Sequence, residues 1–255
     1  MAAGLPADQS PSGAAKAVRI EPLSPAVGLW VDGVDLHRLD GGSAAMIQDL
    51  WQLGGALLFR AQNNPETAAV NLAAVLAHGP VALTEGARAG DEIAGTHWQM
   101  PGAWLAVPHK ALVFGPASGS AGLPELLMAG MEAAADTMRM EAPELLAGFI
   151  GLRCAHAPGG TGHPLVLRHP QSGEACLYPP PENGPPFLGA ERLMTHASQA
   201  RFCWRYDWQP GDVLAVDPRA VRCRWGEAPA AETACVVVPG TVPLSPEPAS
   251  FGGWV

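Results

Sequence analysis

The sequence predicts an α+β fold with a jelly-roll-like β core and helical insertions. Short apolar runs of strand length recur along the chain, and segments with helical spacing lie between them. Strand signals dominate the second half, and turn-forming residues are abundant, with 30 Gly and 26 Pro in 255 residues. We see no linker and no internal repeat, so we expect one domain over residues 18–240. Residues 1–17 are predicted to form a flexible tail, and residues 241–255 a Pro-rich tail.

Strands and helices alternate in the first half of the prediction. The second predicted helix has Asn64 as a plausible N-cap and Gly79-Pro80 as its stop. The predicted strands are Val18–Ile20, Gly28–Val34, Ala56–Arg60 and Ala111–Phe114. The predicted helices are Gly42–Leu53, Pro65–His78, Leu126–Thr137 and Pro143–Ile150.

From Arg153 onward the pattern is mainly that of strands. His163 and His169 each precede a proline, which favours turns at these positions. The segment YPPPENGPPF is too Pro-rich for a helix or strand, and two interpretations stay open, a stiff lid or a plain surface loop. The predicted strands are Leu165–Arg168, Cys176–Tyr178, Phe202–Trp208, Val213–Val216 and Thr233–Val238, and the predicted helix is Gly189–Ala200.

Charge and cysteine usage exclude several classes of protein. Fifteen basic against 24 acidic residues give a net charge of −9, so nucleic-acid binding is disfavoured. No apolar run reaches the roughly 18 residues of a membrane span. The amino terminus lacks the pattern of a secretory signal, which predicts a cytoplasmic protein. The five cysteines are widely spaced without a C-x-x-C pair, so neither a zinc knuckle nor a disulfide framework is indicated.

Four stretches, in chain order, resemble one known family. They read IEPLSPAVGLWVDGVDLHRLD, WQLGGALLFRAQ, HPLVLRHPQSGEACLY and WRYDWQPGDVLAVDPRA. The family is that of the taurine/2,4-D dioxygenases (TauD/TfdA), which are iron(II)/2-oxoglutarate oxygenases. The resemblance spans residues 18–240 and implies a double-stranded β-helix core.

The positions that carry this family's chemistry are altered. The His-x-Asp pair of iron ligands reads His97-Trp98-Gln99, and the distal histidine position is Cys223. The arginine that clamps 2-oxoglutarate falls on Cys235, and the threonine that contacts it falls on Leu126. A neutral amide supplies no anionic oxygen, and a cysteine cannot form the paired bonds of an arginine to a carboxylate. We therefore expect no bound metal and no 2-oxoglutarate cofactor.

The same positions supply the candidate site. His97 is the acid/base candidate, and Cys223 a nucleophile or polar contact. Cys223 lies among arginines, but strand alternation turns Arg222 and Arg224 to the opposite face. A soft zinc site from His97, Cys223 and Cys235 remains an alternative. The candidate substrate contacts are Trp98, Gln99, Leu126, Cys235 and Arg219, although Arg219 keeps the family's D-x-R pair with Asp217, for which a structural role is favoured.

Three functions follow as hypotheses. The leading one is a divergent TauD/TfdA-like protein, in specialised metabolism, that binds or acts on a small organic molecule without iron(II)/2-oxoglutarate chemistry. The second is a catalytically dead scaffold or partner protein, with Trp98, Trp104, Trp225 and Trp254 as its contact surface. The third is an oxygenase with a rebuilt metal site. Whether the chain is an enzyme, and whether it pairs with another protein or with itself, stays open.

Overall fold

The computed structural model describes residues 17–79, 89–116, 124–184, 189–227 and 235–246. The strands in this part of the chain are β1 (Arg19–Pro22), β2 (Leu29–Asp32), β3 (Ala56–Phe59), β4 (Ala111–Phe114), β5 (Leu126–Gly130), β6 (Arg153–Ala155), β7 (Gly162–Pro164), β8 (Val166–Arg168), β9 (Ala175–Leu177), β10 (Cys203–Tyr206), β11 (Val213–Val216), β12 (Val221–Trp225) and β13 (Cys235–Val238). The helices are α1 (Gly41–Gly54), α2 (Pro65–Ala77), α3 (Ala89–Glu92), α4 (Met131–Glu141), α5 (Pro143–Phe149) and α6 (Ala190–Ala197), with a 3₁₀ turn at Ala200–Phe202.

A six-stranded sheet with the order β1-β2-β3-β11-β4-β13 is the frame of the molecule. Its central strands are buried on both faces, so alternate side chains enter two different cores. Leu214 and Val216 of β11 pack on one side, and Val213 and Ala215 pack on the other. The second side is covered by α1 and α2. This explains why these strands read as unbroken apolar runs rather than alternating ones.

A three-stranded sheet with the order β10-β5-β12 lies across the first core. Phe114 of β4 and Trp225 of β12 meet edge to face with ring centroids 6.4 Å apart. Side chains of both sheets, of α4 and of the β6–β9 hairpins belong to the same buried cluster. The molecule therefore has two sheets around a shared apolar interior, as the predicted jelly-roll-like class requires.

The helix ends follow their capping residues. The Asp40 carboxylate accepts from the Ser43 backbone N–H at 2.7 Å, which starts α1. The Asn64 side-chain oxygen accepts from the Thr67 backbone N–H at 3.3 Å, which starts α2 as predicted. His78 closes α2 in the left-handed conformation. Within the described ranges no helix is long and apolar enough to cross a membrane.

One predicted helix is partly wrong. Leu126–Gly130 is the central strand of the smaller sheet, and the helix begins only at Met131. A short run buried on both faces carries no period that separates strand from helix. Gly130 stands at the junction of strand and helix. Only glycine fits there, because a Cβ would lie 1.9 Å from the carbonyl oxygen of Ala26.

The Trp-x-Pro-Gly-Asp turn lies where the resemblance placed it. The buried Asp212 carboxylate accepts from the Gln209 backbone N–H at 2.8 Å and from the Tyr206 hydroxyl. The strand that follows, β11, shares the large sheet with β13, separated from it by β4. Of the predicted carboxy-terminal tail, Leu244 forms a β-bridge to Arg168.

Candidate functional site

Strand β12 assembles the positions that the resemblance singled out. On its free edge it pairs with Gln99, whose N–H and C=O bond to Cys223 at 3.0 and 2.9 Å. Residues opposite each other in an antiparallel pair project from the same sheet face. Further along, the Trp225 indole N–H donates to the Ile93 carbonyl at 2.9 Å. These hydrogen bonds hold the segment before Met100 along the open edge of β12.

A cleft of about 280 Å³ opens beside this edge. His97 and Gln99 line it together, without the Cys223 that the sequence placed with them. The Gln99 amide nitrogen donates to the Ala94 carbonyl at 2.8 Å and so holds the turn that carries His97. The lining residues are Asp91, Ala94, His97, Gln99, Trp104, His156, Pro181 and Asn183.

The Pro-rich segment forms one wall of the cleft. The Glu182 backbone N–H donates to the Trp98 carbonyl at 3.1 Å, and the Glu182 carboxylate accepts from the Trp98 N–H at 3.1 Å. The buried Arg222 guanidinium donates to the carbonyls of Trp98 and Pro180. Up to Gly184 this segment is therefore anchored to the site rather than a detached surface loop. The remainder, residues 185–187, lies outside the described residues.

His97 stands at the rim of the cleft. Its side chain is 57 % exposed, and its Nδ1 lies 4.0 Å from a carboxylate oxygen of Glu182. Its imidazole is therefore accessible to a molecule in the cleft and has a carboxylate beside it. The role of His97 as an acid/base group stays a prediction.

Both cysteines of the candidate site are buried. The Cys223 side chain is fully enclosed and does not line the cleft, and burial raises the pKa of its thiol strongly. A nucleophilic thiolate is disfavoured in such surroundings. Burial, and then the carboxylates of Glu92 and Asp91, raise the pKa of Cys235 to about 12. The position of the family's arginine clamp thus faces negative charge.

The remaining candidate contacts lie away from the cleft lining. Leu126 is buried in β5, opposite Trp225 and Tyr206. Trp98 is 7 % exposed, with the guanidinium carbons of Arg222 and Arg224 at 5.9 and 5.3 Å from its ring centroid. Trp98 therefore supports the site from behind.

Arg219 belongs to a buried charge network, which agrees with the favoured structural role of its pair with Asp217. Its Nε and Nη2 donate to the two oxygens of the Asp217 carboxylate at 2.8 and 2.6 Å. His169 Nε2 lies 3.0 Å from Asp217 as well, and Gln171 accepts from Arg219 at 2.7 Å. The network joins the two motifs HPQSG and DPR, so the guanidinium is committed within the protein.

The sequence reasoning missed His156. The residue is 7 % exposed and lines the cleft, and neither ring nitrogen has a hydrogen-bonding partner among the described residues. Burial, with the charges of His163 and Arg222, lowers the pKa of His156 to about 3. No motif marks this position, because its meaning comes from the fold around it.

The depressed pKa of His156 predicts an acid-sensitive fold. In the unfolded chain a histidine binds its proton near pH 6.5, whereas folded His156 does so only near pH 3. Stability is therefore unaffected above pH 6.5 and falls as the pH drops below it, by about 2 kcal/mol at pH 5. His156→Phe removes this contribution. Urea unfolding at pH 7.5 and pH 5 should show a smaller loss for the variant, and parallel losses would contradict the assignment.

The residues do not fit the iron centre of the resembled family. Gln99 offers a neutral amide already bonded to Ala94, and the Cys223 thiol is shut away from the cleft. Among the described residues no group of three His, Cys, Asp or Glu side chains could hold a metal ion. The alternative zinc site of His97, Cys223 and Cys235 gains no support from this arrangement.

The predicted tryptophan surface is wrong in two of its members. Trp98 is nearly buried, and Trp225 is a fully buried residue of β12 rather than a loop residue. Trp104 is partly exposed and lines the cleft, and Trp254 lies outside the described residues. Large apolar residues are drawn inward in β12 because both of its faces are covered.

Solved structures share this architecture. The chain is similar to a taurine dioxygenase from Burkholderia xenovorans, with a TM-score of 0.71, 23 % identity, and coverage of 92 % of this chain and 97 % of that one. It is also similar to AAD-2 in complex with Mn(II) and N-oxalylglycine, with a TM-score of 0.73, 20 % identity, and coverage of 89 % and 99 %. No protein-family model matches the sequence, and none of the curated proteins matches it. The chain therefore has the fold of the TauD/TfdA dioxygenases.

Proposed function

We propose that this dioxygenase-like fold binds a small, uncharged organic molecule in the cleft of His97 and Gln99 and acts on it without iron or 2-oxoglutarate. The observation that supports the proposal is the cleft itself. It lies beside the positions that the resemblance matched to the family's iron ligands, where this chain has His97, Gln99 and Cys223. By analogy with other divergent proteins of this fold, we further propose that the protein acts in specialised metabolism.

The charges around the cleft favour an uncharged ligand. Asp91 lines it, Glu182 stands at its rim, and Cys235 replaces the arginine clamp. A dicarboxylate entering here would lose its hydration and meet negative charge, with no arginine among the lining residues to offset the cost. Trp104 and Pro181 offer apolar walls for a flat ligand.

In the catalytic form of the proposal His97 is the proton carrier. Glu182, 4.0 Å from Nδ1, would stabilise the protonated ring while the opposite nitrogen faces the ligand. Cys223 has a structural role in this proposal, because its backbone hydrogen bonds hold Gln99 in place. Trp98 and Trp225 are buried and cannot form the contact surface of the scaffold hypothesis. We therefore place the proposed function at the cleft.

Benzamide is a suitable neutral probe, because its flat ring matches the Trp104 and Pro181 walls. We expect saturable shifts of the His97 ring signals in NMR, with a dissociation constant on the order of 1 mM for a ligand of this size. 2-Oxoglutarate should give none. Ala94→Trp, which fills the cleft, should abolish the effect, whereas Leu53→Trp on the exposed end of α1 should not. Binding that survives in Ala94→Trp would refute the proposed location.

A further inference from the structure

Several orphaned polar atoms lie together beneath the cleft. His156 packs with its ring centroid 4.9 Å from that of Tyr178 and 5.8 Å from that of His163. Both nitrogens of His156, Nδ1 of His163 and the Tyr178 hydroxyl have no hydrogen-bonding partner among the described residues. A buried polar atom left unpaired is costly, so such a cluster calls for a polar occupant.

Among these residues His156 borders the cleft, although both of its ring nitrogens are enclosed within the protein. Its ring lines the cleft, whereas Tyr178 and His163 are packed behind it. His163 is oriented by its own bond, since Nε2 lies 2.7 Å from the Leu105 carbonyl oxygen and donates to it. His156 has no such partner among the described residues, so a group bound in the cleft would be able to orient its ring.

The surroundings keep the His156 ring neutral. It is 7 % exposed, and the buried Arg222 guanidinium is a neighbouring positive charge. Arg222 itself is held by Ser198 at 3.0 Å and by backbone carbonyls. A neutral imidazole presents one N–H donor and one acceptor nitrogen.

We infer that His156 is a ligand-recognition residue that binds an uncharged group carrying both a donor and an acceptor, such as a primary amide. The inference rests on the proposed function, because it requires the cleft to be the binding site. A carboxylate offers acceptors only and would bring charge to a neutral, desolvated ring. Specificity for an amide over its isosteric acid would therefore arise at His156, while His97 remains free at the rim.

The test compares benzamide with benzoate on the full chain, followed by the ring signals of His156 and His97. We expect benzamide to shift both, and benzoate to bind roughly tenfold more weakly. His156→Phe should weaken benzamide binding roughly tenfold, and His156→Gln, which keeps a donor and an acceptor, should restore most of it.

The outcomes separate the two proposals. If benzamide shifts His97 in the parent but His156→Phe binds it as well as the parent does, the role of His156 is refuted and the cleft function stands. If benzamide shifts neither ring up to its solubility limit, both are refuted. If His156→Phe does not fold, the His156 ring signals of the parent protein provide the test. Benzamide binding that leaves these signals unshifted would refute the role of His156.

Discussion

Arg219→Met should destabilise the fold by about 3–5 kcal/mol, because it leaves the Asp217 carboxylate charged, buried and short of its main partner. Arg219 is 2 % exposed and supplies two of the hydrogen bonds to that carboxylate. Burial alone would raise the pKa of Asp217, but the Arg219 guanidinium, with help from His169, holds it well below its usual range. The pair therefore stabilises the fold at a pH above the pKa of Asp217 in the unfolded chain, which is near 4, and this stabilisation is lost as the pH falls below that value.

Urea unfolding at pH 7 measures this effect, and two variants control it. Arg139→Met breaks an ion pair with Asp136 whose side chains are 48 % and 45 % exposed, so it should cost no more than about 1 kcal/mol. Adding Asp217→Asn to Arg219→Met removes the unpaired charge and should recover part of the loss. A cost for Arg219→Met as small as that for Arg139→Met would show that the network does not hold the two motifs together.

Gln99→Asp combined with Cys223→His should restore metal binding. Positions 99 and 223 pair through two backbone hydrogen bonds and project from one face, and His97 lies two residues before Gln99. An imidazole is longer than a thiol and can extend from position 223 toward the cleft. We expect roughly 100-fold tighter cobalt(II) binding than in the parent, since two imidazoles and a carboxylate form a facial metal site.

The cobalt absorption spectrum follows this binding. Gln99→Asp alone, and the double variant with His97→Ala added, each lack one ligand and should bind weakly. A folded double variant with no more affinity than the parent would show that the three positions do not converge, and the correspondence with the family's iron ligands would then be wrong.

The resemblance placed residues 97, 99 and 223 in one site, and the structure pairs the backbones of Gln99 and Cys223 but leaves the Cys223 side chain out of the cleft. His156 was not predictable, since an absent hydrogen-bonding partner leaves no trace in a sequence. The start of α4 was misplaced because Leu126–Gly130 is apolar throughout, and only its place between β10 and β12 makes it a strand. The Asp217–Arg219 pair was visible as D-x-R, but its third member, His169, is 48 residues away in sequence and read as a turn residue.

We propose that the dioxygenase fold works in this protein without iron and 2-oxoglutarate. Incubation of the full chain with iron(II), ascorbate, oxygen and 2-oxoglutarate, followed by succinate and bound-iron analysis, tests it most directly. We expect no succinate above the protein-free rate and no stoichiometric iron, because Gln99 and Cys223 stand where the resembled family has its carboxylate and distal imidazole. Stoichiometric iron with succinate formation that requires the protein would contradict the account.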